Sequence, residues 1–192
     1  GDFRMDPANP PLAKDLSALP LLGLGLQAPP FEPFGPEAWR LFRRGQDFLH
    51  FSGEKADLLL GRARLIPLAL ALVLAGVAWA WGGLAALALV AGCPTLAAFG
   101  GIATTDLPLA AFWVTALWLW KRHLASPSRG RAVAAGAALG AAMATKFTGD
   151  LLVPVLAAAF WVDRRGRPSG RPVVVWPVLL SALAVISRAY QG

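Results

Sequence analysis

The chain has 192 residues, of which 56% are hydrophobic and only 15% are charged. Soluble domains usually carry about 25% charged residues because their surfaces face water, so this composition argues against an ordinary soluble globule. The formal net charge is +7, but the basic residues lie in short gaps between apolar blocks, as in membrane proteins. Nucleic acid is therefore not an expected partner. One cysteine, Cys93, and two distant histidines, His50 and His123, provide neither an internal disulfide nor a Cys/His metal site.

Residues 1–60 differ from the rest of the chain because they are rich in proline and aromatic residues. Prolines at this density exclude a long helix, but they leave room for short helices over 14–22 and 36–51. We therefore predict that residues 1–60 form the C-terminal part of a large extracytoplasmic loop. Its short helices are expected to rest on the membrane surface.

Residues 61–192 contain about six apolar blocks. They cover 65–81, 84–102, 107–120, 132–145, 151–161 and 173–186, with a turn expected at Gly82-Gly83. Several blocks are shorter than the ~20 residues that span a bilayer, so flanking residues are expected to complete the helices. The pattern predicts an all-α, multi-pass integral membrane bundle, and re-entrant hairpins are the alternative for the short blocks.

Basic residues predict the orientation of this bundle. One group is Lys121, Arg122, Arg129 and Arg131, and a second group is Arg164, Arg165, Arg167 and Arg171. The positive-inside rule places both loops in the cytoplasm of a cell (inner) membrane. Residues 1–60, Asp106 and the 146–150 turn then face the extracytoplasmic side.

Asp106 and Lys146 are the two polar residues of most interest. Asp106 follows Thr104-Thr105 at the edge of an apolar block, where it is either a helix N-cap or N-terminal acid or a ligand for a hard cation. Lys146 lies between two apolar blocks, where ionisable residues are costly. It is either a snorkelling lysine, a partner of Asp150 or a clamp for phosphate.

Two further features have simpler interpretations. His123 follows Lys121 and Arg122 and is expected to be a solvated loop residue. Gly136 and Gly140 have the small-xxx-small spacing that lets two helices approach closely, which indicates packing rather than a ligand site.

Several short motifs occur in an order typical of one family of membrane enzymes. They are Gly1-Asp2-Phe3-Arg4, Pro10-Pro11-Leu12-Ala13-Lys14, Gly53-Glu54-Lys55-Ala56-Asp57, Arg62-Ala63-Arg64, Pro94, Thr104-Thr105-Asp106, Gly136, Gly140 and Ala144-Thr145-Lys146. Over about residues 1–160, this order resembles the GT-C-fold glycosyltransferases related to protein O-mannosyltransferases and to the aminoarabinose transferase of lipid A, which use polyprenyl- or dolichyl-phosphate sugars.

The resemblance implies an inverting enzyme that moves a sugar from a polyprenyl-phosphate donor to a protein or lipid acceptor outside the cytoplasm. It implies that Asp106 takes part in catalysis by organising the acceptor or a divalent cation (Mg²⁺, Mn²⁺ or Ca²⁺). Arg4, Lys14 and Lys146 are the residues expected to bind the donor phosphate. Membrane lipids are expected to surround the site.

The sequence departs from the family pattern in two places. Phe99 stands where the family usually has a histidine, and the family's catalytic aspartate falls upstream of Gly1. Both ends of the chain look cut, so we expect an internal fragment that is inactive in isolation. The rival hypothesis is a non-catalytic transporter or carrier of lipid-linked oligosaccharides, for which repeated halves would be expected; no internal repeat is visible.

Overall fold

The computed structural model describes residues 9–27, 37–51, 53–166 and 173–191, with the backbone alone for 37–41. Regular structure in these ranges is entirely helical, which confirms the all-α prediction for this part of the chain. The helices are α1 Leu12–Ala18, α2 Glu37–Phe51, α3 Ala56–Ala63, α4 Leu65–Ala91, α5 Pro94–Gly100, α6 Asp106–Ala125, α7 Arg129–Met143, α8 Leu152–Gly166 and α9 Trp176–Gln191. Short 3-10 turns cover Leu19–Leu21 and Phe147–Leu151.

The two short helices predicted within residues 1–60 are present as α1 and α2. Helix α1 begins two residues earlier than expected and changes to a 3-10 turn at Leu19. Pro20 lies in that turn and has no N–H to continue an α-helical ladder. The loop and membrane-surface location of this part of the chain stays a prediction.

One helical segment of the described ranges, Ala56–Ala91, is long and apolar enough to cross a membrane. It joins α3 and α4. Helices α7, α8 and α9 have 15, 15 and 16 residues, fewer than the ~20 that a bilayer crossing needs. The all-helical part of the fold prediction is thus confirmed, whereas the multi-pass arrangement stays a prediction.

Helix α4 bends at the predicted Gly82-Gly83 turn. Gly83 has φ 65° and ψ −155°, so the helical path is interrupted there, in a conformation that glycine reaches without steric cost. The next predicted block, 84–102, is wrong as a single helix because α4 ends at Ala91 and α5 begins at Pro94. Cys93 between them is extended, as residues before proline tend to be.

The core forms around α7, which packs closely against α6 and α9. Gly136 and Gly140 lie on the face of α7 that meets α9. A Cβ on Gly136 would collide with the Val178 carbonyl and the Ser181 hydroxyl, and one on Gly140 would lie 2.5 Å from the Ala182 carbonyl oxygen. The predicted small-residue packing face is therefore confirmed.

His123 is buried, and the prediction of a solvated loop residue is wrong. Helix α6 continues beyond the predicted block end at residue 120 and ends at Ala125. The helical spacing puts His123 on the same side as Trp120 and Leu124, and the histidine is only 1% exposed. Its ring lies 5.7 Å from the Trp120 ring, centroid to centroid.

Candidate functional site

Asp106 and Lys146 meet at one end of the bundle. Asp106 is the first residue of α6, and Lys146 follows the end of α7. The Lys146 Nζ atom donates a hydrogen bond to Oδ1 of Asp106 at 2.7 Å, joining residues 40 positions apart. The Lys146 side chain is 31% exposed and that of Asp106 is 49% exposed. The pair is therefore partly buried and still accessible to a ligand.

This contact decides between alternatives that the sequence left open. Among the described residues Lys146 forms its ion pair with Asp106, so the pairing with Asp150, one of the three alternatives for this lysine, is wrong. The N-cap of α6 is Thr105. Asp106 lies in the first turn instead, where the helix dipole stabilises a carboxylate.

The end of α7 fixes the position of Lys146. Thr145 is fully buried, and its hydroxyl donates to the Ala141 carbonyl at 2.7 Å. The next residue, Lys146, is extended, and a 3-10 turn begins directly after it. Gly149 in that turn lies so close to α7 that a Cβ would collide with the Ala142 carbonyl. Thr145 and Gly149 thus hold Lys146 from both sides, a role that sequence reasoning did not assign to either residue.

Helix α1 packs at the same end of α7. The Leu12 amide donates to the Ala144 carbonyl at 3.0 Å, and Pro10 and Ala13 are buried. Lys14, a predicted phosphate ligand, is held by its own segment, because its Nζ donates to the Asn9 carbonyl at 2.9 Å. Arg4, the other predicted ligand from this region, lies outside the described residues.

The described residues do not by themselves complete a metal site around Asp106. No group of three His, Cys, Asp or Glu side chains suited to a cation occurs in the part of the chain that the structure covers. The Asp106 carboxylate also forms an ion pair with the Lys146 ammonium at 2.7 Å. The positive charge of that ammonium repels a metal ion bound nearby. The divalent cation stays a prediction, and no chemical step is derived through it.

Phe99 has a packing role at the position where the resembled family has histidine. It packs against a cluster formed by Leu74, Leu107 and Ala111, which joins α4 to the first turns of α6. The aromatic ring therefore supports the start of α6, next to Asp106, without contributing a polar group.

The described residues of the two predicted basic loops lie at the end of α6 opposite Asp106. A helix of 20 residues places its ends roughly 30 Å apart. Near the far end, Trp120 of α6 donates through Nε1 to the Leu156 carbonyl of α8 at 3.1 Å. Arg131 near the start of α7 donates to the Ser126 carbonyl. Residues 167–172, which hold Arg167 and Arg171, lie outside the described ranges.

Comparison with known proteins identifies the family. The family model described as dolichyl-phosphate-mannose-protein mannosyltransferase matches residues 63–190, about two-thirds of the chain, including both Asp106 and Lys146. No curated protein and no solved structure gives a significant match. The resemblance predicted from the order of short motifs is confirmed, and the chain belongs to the dolichyl-phosphate-mannose-protein mannosyltransferase family.

Proposed function

We propose that this chain builds part of the extracytoplasmic active site of a membrane glycosyltransferase that uses a polyprenyl-phosphate-linked sugar. The family is one of glycosyltransferases, which favours this function over the rival transporter. The observation that carries the proposal is the contact between Asp106 and Lys146, two residues that the sequence singles out independently of each other. The acceptor is a hydroxyl group of a protein or lipid.

Exposed apolar side chains support a membrane location for the whole bundle. Large apolar residues are exposed along α4, α8 and α9, including Leu84 at 76%, Val162 at 64% and Leu183 at 61%. Soluble monomers rarely expose apolar surface over such extended areas. Lipid chains would cover this surface, so we propose that several helices besides Ala56–Ala91 lie in the bilayer.

The proposed orientation can be tested at the two ends of α7. Ser126 and Thr148 are both exposed, and each is replaced by cysteine in a full-length protein that lacks Cys93. We expect an impermeant thiol reagent to label Thr148→Cys in intact cells and to label Ser126→Cys only after the membrane is opened. Labelling of Ser126→Cys from outside would reverse the orientation and place the Asp106–Lys146 pair in the cytoplasm.

Lys146 is proposed to bind the phosphate of the sugar donor. Its ammonium is already positioned by Thr145, Gly149 and Asp106, so little reorganisation is needed when an anion arrives. During transfer, the bond between the anomeric carbon and the phosphate oxygen breaks, and its electron pair stays on the departing polyprenyl phosphate. A fixed cation stabilises that developing charge more than it stabilises the intact donor.

The other half of the reaction takes place on the acceptor. The acceptor oxygen forms a new bond to the anomeric carbon as its proton passes to a general base. Attack from the face opposite the departing phosphate inverts the configuration at the anomeric carbon. None of the described residues is assigned the role of this base.

Asp106 is proposed to act as a positioning residue. Its carboxylate holds the Lys146 ammonium in one place while no donor is bound. The negative charge of the carboxylate also neutralises the lysine in that state. Because the pair is partly exposed, its contribution to stability is expected to be only ~0–1 kcal/mol. The consequences of losing Asp106 should therefore appear in catalysis rather than in folding.

Asp106→Asn tests the proposed function. Asparagine has nearly the size and shape of aspartate, and loss of the partly exposed ion pair should cost only ~0–1 kcal/mol, so the full-length variant should fold and reach the membrane normally. Misplacing a catalytic group by about 1 Å can cost roughly 10²-fold in rate, and we expect a loss of that order in turnover with the polyprenyl-phosphate sugar. Turnover and donor affinity are measured at equal membrane expression.

Asp150→Asn is the matched control for Asp106→Asn. Asp150 is an exposed carboxylate in the 3-10 turn that follows Lys146, and its replacement removes the same charge from the same end of the bundle. Turnover close to wild type is expected for this control. Equal turnover in both variants and the wild type would reduce Asp106 to a helix-terminal acid and remove the support for this site.

A further inference from the structure

Residues 9–21, which we call the strap, lie across one end of the bundle. They include helix α1 and the 3-10 turn after it. The Leu12 amide donates to the carbonyl of Ala144 at the end of α7. Farther along the strap, α1 contacts α4 and the 3-10 turn contacts α3, which leads directly into α4. Since α4 and α7 both pack against α6, the strap bridges the two helices that flank the start of α6.

The strap is anchored beside the candidate site. Ala144, which accepts its hydrogen bond, lies shortly before Lys146 in the sequence and is fully buried, as is Thr145. The Lys146 and Asp106 side chains are 31% and 49% exposed. The strap therefore covers the end of α7 that leads into Lys146, and it leaves the ion pair open to substrates.

The strap is packed and braced in this position. Pro10 and Ala13 are buried, so neighbouring residues cover both side chains. The Lys14 Nζ atom donates to the Asn9 carbonyl at 2.9 Å, and this bond closes the first turn of the strap. A segment that is already ordered loses little conformational freedom when substrates bind. The strap is thus a preformed wall beside the ion pair.

Water is a competing acceptor in any sugar transfer from a polyprenyl phosphate. In that side reaction the water oxygen bonds to the anomeric carbon, and a water proton passes to the general base. The bond between the anomeric carbon and the phosphate oxygen breaks, and its electron pair stays on the departing polyprenyl phosphate. Free sugar is then formed in place of the glycosylated acceptor. Closing a site against water suppresses such hydrolysis.

We propose that the strap determines acceptor specificity by excluding water from the Asp106–Lys146 site while a protein or lipid hydroxyl reacts. The proposal rests on the sugar transfer given under the proposed function, and it adds a specificity-determining element to that reaction. It also gives Lys14 a role other than that of a phosphate ligand, because this lysine braces the strap through the Asn9 carbonyl. Neither Lys14 nor Ala13 takes part in the chemical step itself.

Ala13→Leu in the full-length enzyme is the main test. Because Ala13 is buried, the larger side chain must displace its neighbours and loosen the strap. Overpacking of this kind shifts the equilibrium away from the packed state by at least about fivefold. We expect the ratio of free sugar to glycosylated acceptor to rise by a similar factor, with both products counted from a donor labelled in the sugar. Ala18→Leu is the matched control at an exposed position of the same helix, and its ratio should equal that of the wild type.

Lys14→Met tests the brace without overpacking the strap. Methionine keeps an unbranched stem but cannot donate to the Asn9 carbonyl. We expect the ratio of free sugar to glycosylated acceptor to rise about two- to tenfold, which corresponds to the loss of one intramolecular hydrogen bond. Donor affinity, measured by titration, should stay at the wild-type value. A fall in donor affinity at an unchanged ratio would make Lys14 a phosphate ligand and overturn its role as a brace.

The wild-type enzyme separates this proposal from the previous one. If the wild type transfers sugar and Ala13→Leu keeps its product ratio, only the strap is overturned. An equal rise in Ala13→Leu and Ala18→Leu would also overturn it, since the effect would not depend on packing. A wild type that forms neither free sugar nor glycosylated acceptor would overturn the sugar transfer and the strap together. If Ala13→Leu fails to fold, the product ratio of Lys14→Met decides the outcome.

Discussion

Lys146→Met is expected to reduce sugar transfer by about 10²–10³-fold, the usual effect of removing one fixed donor from a developing oxyanion. Methionine keeps an unbranched apolar stem, so the buried Thr145 beside it and the Gly149 turn after it should remain in place. What is lost is the cation that Asp106 holds. Donor affinity should fall as well, because charge-assisted hydrogen bonds to the phosphate disappear. The measurement is transfer at saturating acceptor, with donor affinity from a titration.

Lys146→Arg is the conservative companion of this variant. Arginine keeps the positive charge and pairs well with both carboxylates and phosphates. Its planar guanidinium, however, does not occupy the same position as the lysine ammonium. We expect it to recover a substantial part of the donor affinity and a smaller part of turnover. A variant Lys146→Met that transfers sugar as fast as the wild type would show that the lysine serves only in the ion pair with Asp106.

Gly140→Leu is expected to have the largest effect on folding. A Cβ at this position would lie 2.5 Å from the Ala182 carbonyl oxygen and 2.8 Å from the Ala182 Cα, and backbone atoms of α9 cannot move aside without separating the helices. Overpacking of a well-packed interior typically lowers the free energy of unfolding by ~1–3 kcal/mol. Because the added side chain would collide with backbone atoms, we expect a loss at or above the upper end of that range. Reversible unfolding of the full-length protein in mixed micelles measures the loss.

Gly76→Leu provides the control for this substitution. Gly76 is exposed within α4, and a Cβ added there would have no neighbouring atom within 4 Å, so leucine adds helix propensity without a clash. Its unfolding free energy should match or exceed that of the wild type. A Gly140→Leu protein as stable as the Gly76→Leu protein would mean that α7 and α9 do not pack as the structure places them.

The local features of the fold were predictable from sequence because they depend on neighbouring residues. The bend at Gly83 follows from a glycine pair, and the packing face of α7 follows from the spacing of Gly136 and Gly140, although its partner α9 was not predicted. The 3-10 turn at Pro20 was not predicted either, because one helix was expected over 14–22. The interruption at Cys93 was missed, although Pro94 was noted, because hydropathy alone favoured one continuous block.

The site was only half predictable, because its central contact depends on tertiary packing. Asp106 and Lys146 were each selected from sequence, but the only carboxylate considered as a partner for the lysine was the nearby Asp150, and not one 40 positions away. Only the antiparallel packing of α6 and α7 brings that distant carboxylate within reach. His123 was wrongly predicted to be solvated for the same reason. Its basic sequence neighbours do not indicate that tertiary packing buries this face of α6.

The fate of the donor's sugar–phosphate bond tests the central claim most directly. Wild-type and Lys146→Met full-length proteins are placed in proteoliposomes with a polyprenyl-phosphate sugar labelled in the sugar. We expect the wild type to release one polyprenyl phosphate for every sugar joined to the acceptor, and Lys146→Met to slow the formation of both products equally. Movement of the intact labelled donor across the bilayer, with no bond broken, would contradict the proposed sugar transfer and identify the protein as a carrier.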